Sequence, residues 1–148
     1  MEEEFERSQV IFSGKVVEVK EKRSLKGYVT KSVLFEVTKT WKDASQSQII
    51  ITTGQGDGDC GIDFKEGEDY LVYANESTMY GAESLVSNIC SRTNELSASQ
   101  EDLVILGEGN EPVEKIDLTS KDNQFYIWVI VVAVIIGFLF WYKKHGTY

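Results

Sequence analysis

At 148 residues, 42% of them hydrophobic and with three Trp, seven Tyr and seven Phe against a single Pro, the chain has the composition of about one folded domain and not of a disordered tail. Its net charge of −9 repels phosphate backbones, and no basic stripe or base-stacking aromatic cluster offsets it, which argues against nucleic-acid binding. The single histidine, His145, lies near the C-terminus beyond the folded part. That removes Ser-His-Asp and Cys-His nucleophiles and His-based metal sites; the carboxylates are scattered over polar faces, so no enzyme activity, metal or cofactor is expected.

In chain order, MEEEFERSQV lacks the positive start and apolar run of a signal peptide, and Glu2 to Arg7 reads as a short charged helix. Val10 to Lys20 reads as a strand whose inward face changes: Val10, Phe12 and Val16 share one parity, Val17 and Val19 the other, with Gly14 near the switch. A glycine there suits a bulge that lets one long strand serve two sides of a closed sheet. After a turn at Lys26-Gly27, Tyr28 to Trp41 alternates cleanly, Val29, Val33, Phe35, Val37 and Trp41 against Thr30, Ser32, Glu36 and Thr38. Ile49 to Thr53, Tyr70 to Ala74 and Leu85 to Ile89 complete five short strands without helical crossovers, which predicts a mainly β, five-stranded antiparallel barrel.

Residues 54–61, GQGDGDCG, invite phosphate-loop or calcium readings. No Lys-Ser/Thr or helix follows the glycines, and the alternating acids are not read as an EF-hand calcium loop. The segment is therefore a glycine-rich connector, and Gly56, Asp57, Gly58 and Asp59 are its candidate partner-contact residues. Cys60 and Cys90 are the only cysteines. They form a disulfide if the domain faces an oxidising compartment and stay free thiols if it faces the cytosol. Ser97 and Gln100 read as a capping box that opens a helix with Leu103, Val104 and Leu106 on its apolar stripe and a stop at Gly107. Residues 108–124, polar and carrying the one Pro, read as a juxtamembrane stalk.

From Phe125 to Tyr142 the run FYIWVIVVAVIIGFLFWY contains no charge; its 18 residues make about 27 Å of helix, enough to span a bilayer. Trp128 at one end and Trp141 with Tyr142 at the other match interfacial aromatic belts. Lys143 and Lys144 follow, so the short tail 143–148 is expected in the cytoplasm and residues 1–107 outside.

The succession FSGKVV, LFEVTKTWK, TTGQGDGDCGIDFKEGEDYLVYA and NICSRTNELSASQEDLVILG resembles the bacterial relatives of the tissue inhibitors of metalloproteinases over about residues 5–107. The most specific pieces are Cys60-Gly61 with Phe64, Gly67 and Tyr70 to Tyr73, and Cys90 to Thr93. The resemblance implies an OB-fold with terminal helices, and a metalloproteinase as partner. In that family a Cys-x-Cys pair opens the mature chain and is bonded to the positions matching Cys60 and Cys90, and in the animal inhibitors the first cysteine's amine and carbonyl chelate the target's zinc. The present sequence begins at Met1-Glu2-Glu3-Glu4 without that pair, so a segment upstream is expected to be missing, and the 148 residues offer contact without chelation. The expectation is a membrane-anchored, extracytoplasmic protein-binding module. Its alternatives are an assembly component of a surface complex and a cytosol-facing tail-anchored protein.

Overall fold

The computed structural model describes residues 2–23, 27, 29–56, 58–119 and 128–136. They fall into two compact units, Met1–Leu118 and Thr119–Tyr148.

The first unit is mainly β. A short helix α1 (Glu2–Arg7) leads into β1 (Val10–Arg23), β2 (Val29–Lys42), β3 (Gln48–Thr53), β4 (Asp69–Ser77), β5 (Ser84–Val86) and the two-residue β6 (Asn94–Glu95). A 3-10 turn at Leu96–Ala98 and helix α2 (Gln100–Leu106) follow. Antiparallel pairings join β1 to β2, β2 to β3, β4 to β5 and β4 to β1, while β3 and β5 meet in parallel at Thr52 and Val86. These pairings close a ring of five strands, so the alternation in the sequence had a second sheet edge to meet at both ends.

β1 makes the closure possible. Register shifts occur at Ile11/Phe12, Ser13/Gly14 and Val16/Glu18, so the strand coils between two neighbours. Gly14 pairs with Val37 on one side and Tyr70 on the other, and a Cβ there would lie 2.6 Å from the Glu36 carbonyl oxygen. The inward face changes after Val16 as the parity suggests, but by a different set of residues: Val19 packs on the core while Val17 is 39% exposed.

The ring encloses Val10, Phe12, Val16, Val33, Phe35, Ile51, Phe64, Tyr70 and Val72 among others. Phe35 is the hub, edge-on to Phe12, Phe64 and Tyr70 at centroid distances of 5.4, 5.3 and 6.4 Å. A second cluster lies on the outer face of β1 and β4, where Ile11, Leu71 and Tyr73 are covered by Phe5 of α1, Trp41, and Leu96, Leu103 and Leu106 around α2. Buried on both faces, β1 and β4 read as continuous apolar runs over Val10–Phe12 and Tyr70–Ala74. Lys42 fastens α1 to β2, its ammonium donating to the carbonyls of Phe5 and Glu6 at the helix C-terminus, where a cation is favoured.

Two expectations need correction. The capping box does not form: the residues from Leu96 make a 3-10 turn, α2 begins at Gln100 behind Ser99, and the Ser99 hydroxyl donates to the Glu95 carbonyl instead of capping. Val104 consequently faces water, and Leu103 and Leu106 alone carry the apolar contact, with Gly107 closing the helix at φ 69°. The segment expected to be a free stalk is bonded to the ring as far as Leu118. Asn110 and Thr40 exchange both backbone bonds at 2.8 Å, Ser47 N–H donates to the Glu114 carbonyl at 2.7 Å, and the Ser47 hydroxyl pairs with both backbone groups of Ile116. This strap covers edge groups of β2 and the β2–β3 turn that would otherwise be unpaired.

Residues 128–136 are helical and exposed along their length, Trp128 at 65%. The rest of the expected span, 125–127 and 137–142, including Phe125, Trp141 and Tyr142, lies outside the described residues, as do Lys143 and Lys144. Among the described residues no helix is long and apolar enough to cross a membrane.

Candidate functional site

Three connections converge beside β3 and β5. The β3–β4 connection carries Gly54 to Gly61, the β4–β5 connection Met79 and Tyr80, and the β5–β6 connection Asn88 to Cys90. Ile89 N–H donates to the Cys60 carbonyl at 3.0 Å, and the Tyr80 hydroxyl donates to the Asp59 carbonyl at 3.4 Å. The sequence-predicted residues Gly56, Gly58, Asp59, Cys60 and Cys90 therefore come together, while Asp57 lies outside the described residues.

Asp59 has a local task. Its carboxylate accepts backbone N–H bonds from Gln55, Gly56 and Gly61 at 2.6, 2.9 and 3.1 Å, and these donors, Gln55 foremost, hold its carboxyl below the usual range. With its oxygens turned onto its own loop, Asp59 acts as a clasp, not as an outward acid. The close approach of the loop ends requires glycine, since a Cβ on Gly61 would overlap the Gly54 backbone. Beyond the loop, Asp63 pairs with Lys31 at 2.8 Å, which lowers its carboxyl as well. Asp59 and Asp63 are thus engaged by backbone N–H groups and by a lysine, and among the described residues no group of three or more potential ligands gathers.

Around this clasp the surface is apolar where it protrudes: Met79 is 57% and Ile89 66% exposed. Cys60 is half-buried with φ 62° and Cys90 is exposed, and the two are not bonded to each other. Their neighbourhood is tied by side chains, the Asn88 carboxamide oxygen accepting from the N–H groups of Cys90 and Ser91 at 2.9 and 3.2 Å. Met79 and Ile89 thus project from loops held by backbone and side-chain hydrogen bonds.

Behind these loops stands a latch that sequence reasoning missed. Arg92 grips the Asp102 carboxylate in a fork, Nη2 at 2.7 Å and Nε at 2.9 Å, and the Tyr73 hydroxyl donates to the same carboxylate at 3.1 Å. The Arg92 fork, then the Tyr73 hydroxyl, hold Asp102 below its ordinary range, and Arg92 is raised in turn; burial, then the nearby carboxylate, pushes Tyr73 upward. Next to it Thr93 Oγ1 accepts from Tyr73 N–H at 2.8 Å and lies 2.7 Å from the buried Ser87 hydroxyl. The latch thus joins the loop at 87–93 to β4 and α2. An open polar cleft of about 520 Å³, lined by Ser91 to Asn94 and Ser97 to Asp102, runs alongside. The only local signal was the Cys90-Ser91-Arg92-Thr93 string; that Arg92 meets Asp102 depends on how α2 docks, which no spacing rule encodes.

Compared with protein-family models and with curated proteins, the sequence matches none.

Proposed function

We propose that this chain is a membrane-anchored, extracytoplasmic OB-fold module that works by binding a protein through the loops at 54–61, 78–83 and 87–91. The support for the fold is the closed order β1-β2-β3-β5-β4-β1, a five-stranded sheet returning on itself with helices packed outside it. The anchor is the uncharged run at 125–142, and its flanking lysines put the ring outside. The single observation that carries the binding reading is the exposed Met79 and Ile89 pair on loops fixed by Asp59 and Asn88. A metalloproteinase is the partner class suggested by the sequence resemblance, reached by surface contact without zinc chelation by these residues.

Photocrosslinking tests this. A photoreactive side chain at Ile89 in native membranes is expected to yield a discrete adduct that a control at exposed Ile105 on α2 does not, and that Met79→Asp removes. Identification of a zinc metalloproteinase in the adduct supports the inhibitor reading, and a non-proteolytic surface protein supports the assembly role. Equal adducts at both positions, or none, contradict a partner site at these loops.

A further inference from the structure

The strap at 108–118 is held by contacts of a different kind from those inside the ring. Neither apolar cluster includes any of its residues, and Val113 is 83% and Leu118 37% exposed. Pro112 and Ile116 are half-buried, and Gly109 alone is buried, set so close on Trp41 that a Cβ would lie 2.8 Å from the indole ring. Hydrogen bonds do the rest, at two separate places. Asn110 pairs with Thr40 in the antiparallel sense and Glu114 with Gln46 in the parallel sense, so the two bridges do not continue into one ladder. Around the second, the N–H groups of Val113 and Glu114 both donate to the Ser45 carbonyl, the Ser47 hydroxyl takes both backbone groups of Ile116, and the Gln48 side chain accepts from Leu118 N–H. Lys39 and Glu111 add an exposed ion pair at 3.6 Å.

A strap of this kind lifts more easily than the ring unfolds. Ser45 and Gln46 are exposed and Ser47 and Gln48 half-buried, so water takes over most of the bonds given up, and each bond's net contribution is a fraction of its gross strength. Both apolar clusters stay packed, because none of their members belongs to the strap. Segments with few buried apolar contacts and surface-exposed backbone bonds open locally, well below the cost of global unfolding. Opening also changes a length. With the strap docked, residues 119–124 alone precede the apolar run, a connector of at most about 20 Å; with it lifted, residues 108–124 extend to at most about 58 Å.

On these grounds, and resting on the anchor reading above for what is tethered, we propose that the strap is a two-state device. Docked, it keeps the ring on a short tether; lifted as a unit, it lengthens that tether about threefold with the ring intact, so that the loops at 54–61, 78–83 and 87–91 reach a partner farther from the membrane.

Amide hydrogen exchange of the full chain in nanodiscs, read by mass spectrometry, tests this. Peptides covering 109–118 are expected to be protected relative to a free chain, yet to exchange about a hundredfold or more faster than those covering 10–16 and 70–74. Low urea should accelerate the β1 and β4 peptides and leave the strap's opening unchanged. Ser47→Ala, which removes the hydroxyl holding Ile116, should speed the strap by about tenfold and leave β1 and β4 as they were. Strap peptides that exchange only as fast as β1 and β4 overturn the proposal, as does a strap with no protection, which would have no docked state. If Ser47→Ala accelerates strap and ring alike, Asn110→Pro, which removes only the strap's own N–H to Thr40, decides: acceleration confined to the strap sustains the device, and acceleration throughout sinks it. If the chain fails to enter discs, the anchor reading fails and the tether with it, while the same exchange measured in buffer still shows whether the strap lifts.

Discussion

Phe35→Ala is expected to lower the unfolding free energy by about 4 kcal/mol, in the range for deleting a fully buried aromatic ring. Phe35 has no exposed surface and touches Phe12, Phe64 and Tyr70 edge-on, so its ring is shared by β1, β2, β4 and the segment before β4. Phe12 and Tyr70 are held by the β1–β4 ladder and Phe64 is packed edge-on against Tyr70, which limits their collapse into the cavity. Since a domain of this size is stable by only about 5–15 kcal/mol, the variant should sit close to unfolding at physiological temperature. Chemical denaturation followed by tryptophan fluorescence reads the effect, with Phe35→Leu as a control that keeps most of the volume and loses roughly half as much or less. A loss under about 1 kcal/mol for the alanine variant would mean that the ring does not close on this residue.

Arg92→Ala should cost about 2–3 kcal/mol. Breaking a buried ion pair typically costs about 3–5 kcal/mol because the remaining charge is stranded. Arg92 is discounted from that range because its side chain is 42% exposed and water can partly replace it, whereas the Asp102 side chain is only 7% exposed. The variant also carries a pH signature. In the fold Asp102 lies below its ordinary value of 3.8, so its contribution is fully present above that value and is lost as pH falls through the lowered one. Arg92→Ala removes the larger cause of the lowering and brings the folded value back toward the unfolded one, so Asp102's share of the acid limb should shrink: stability should fall less steeply with acidification than in the unaltered protein, and the gap between the two proteins should narrow as pH falls. Denaturant midpoints measured from pH 3 to 7 would show it; an unchanged acid limb would mean that the fork contributes nothing. Because the latch holds residues 87–93, the same variant should also weaken any partner bound at Ile89.

What was legible in the sequence is what burial imposes along a strand. Val33, Phe35 and Val37 recur at every second position because one face of β2 meets the ring's interior, whereas Trp41, read on the same face, packs in the outer cluster; Gly14 marks a true close approach because β1 must serve two neighbours. The ring of five strands followed from these runs. Val17 was misplaced because the bulge at Val16/Glu18 shifts parity by an extra residue, which the pattern of valines alone does not fix. The strap at 108–118 escaped for a different reason: its bonds run mostly through backbone groups and the side chains of Ser47 and Gln48, so a polar, irregular sequence can be firmly docked. At the candidate site the glycine-rich loop was visible, but the inward turn of Asp59 was not, since an Asp that caps its own loop and one that faces a ligand have the same spacing. The Arg92–Asp102 fork required two elements to meet in three dimensions.

The central claim is that the ring stands outside a membrane from which 125–142 suspends it, and labelling of intact cells tests it most directly. A membrane-impermeant amine reagent, followed by mass spectrometry of the membrane fraction, should modify Lys39 and Lys65 on the ring and leave Lys143 and Lys144 untouched until the cells are opened. Modification of Lys143 and Lys144 in intact cells with the ring protected, or recovery of the full chain in the soluble fraction, would contradict the account.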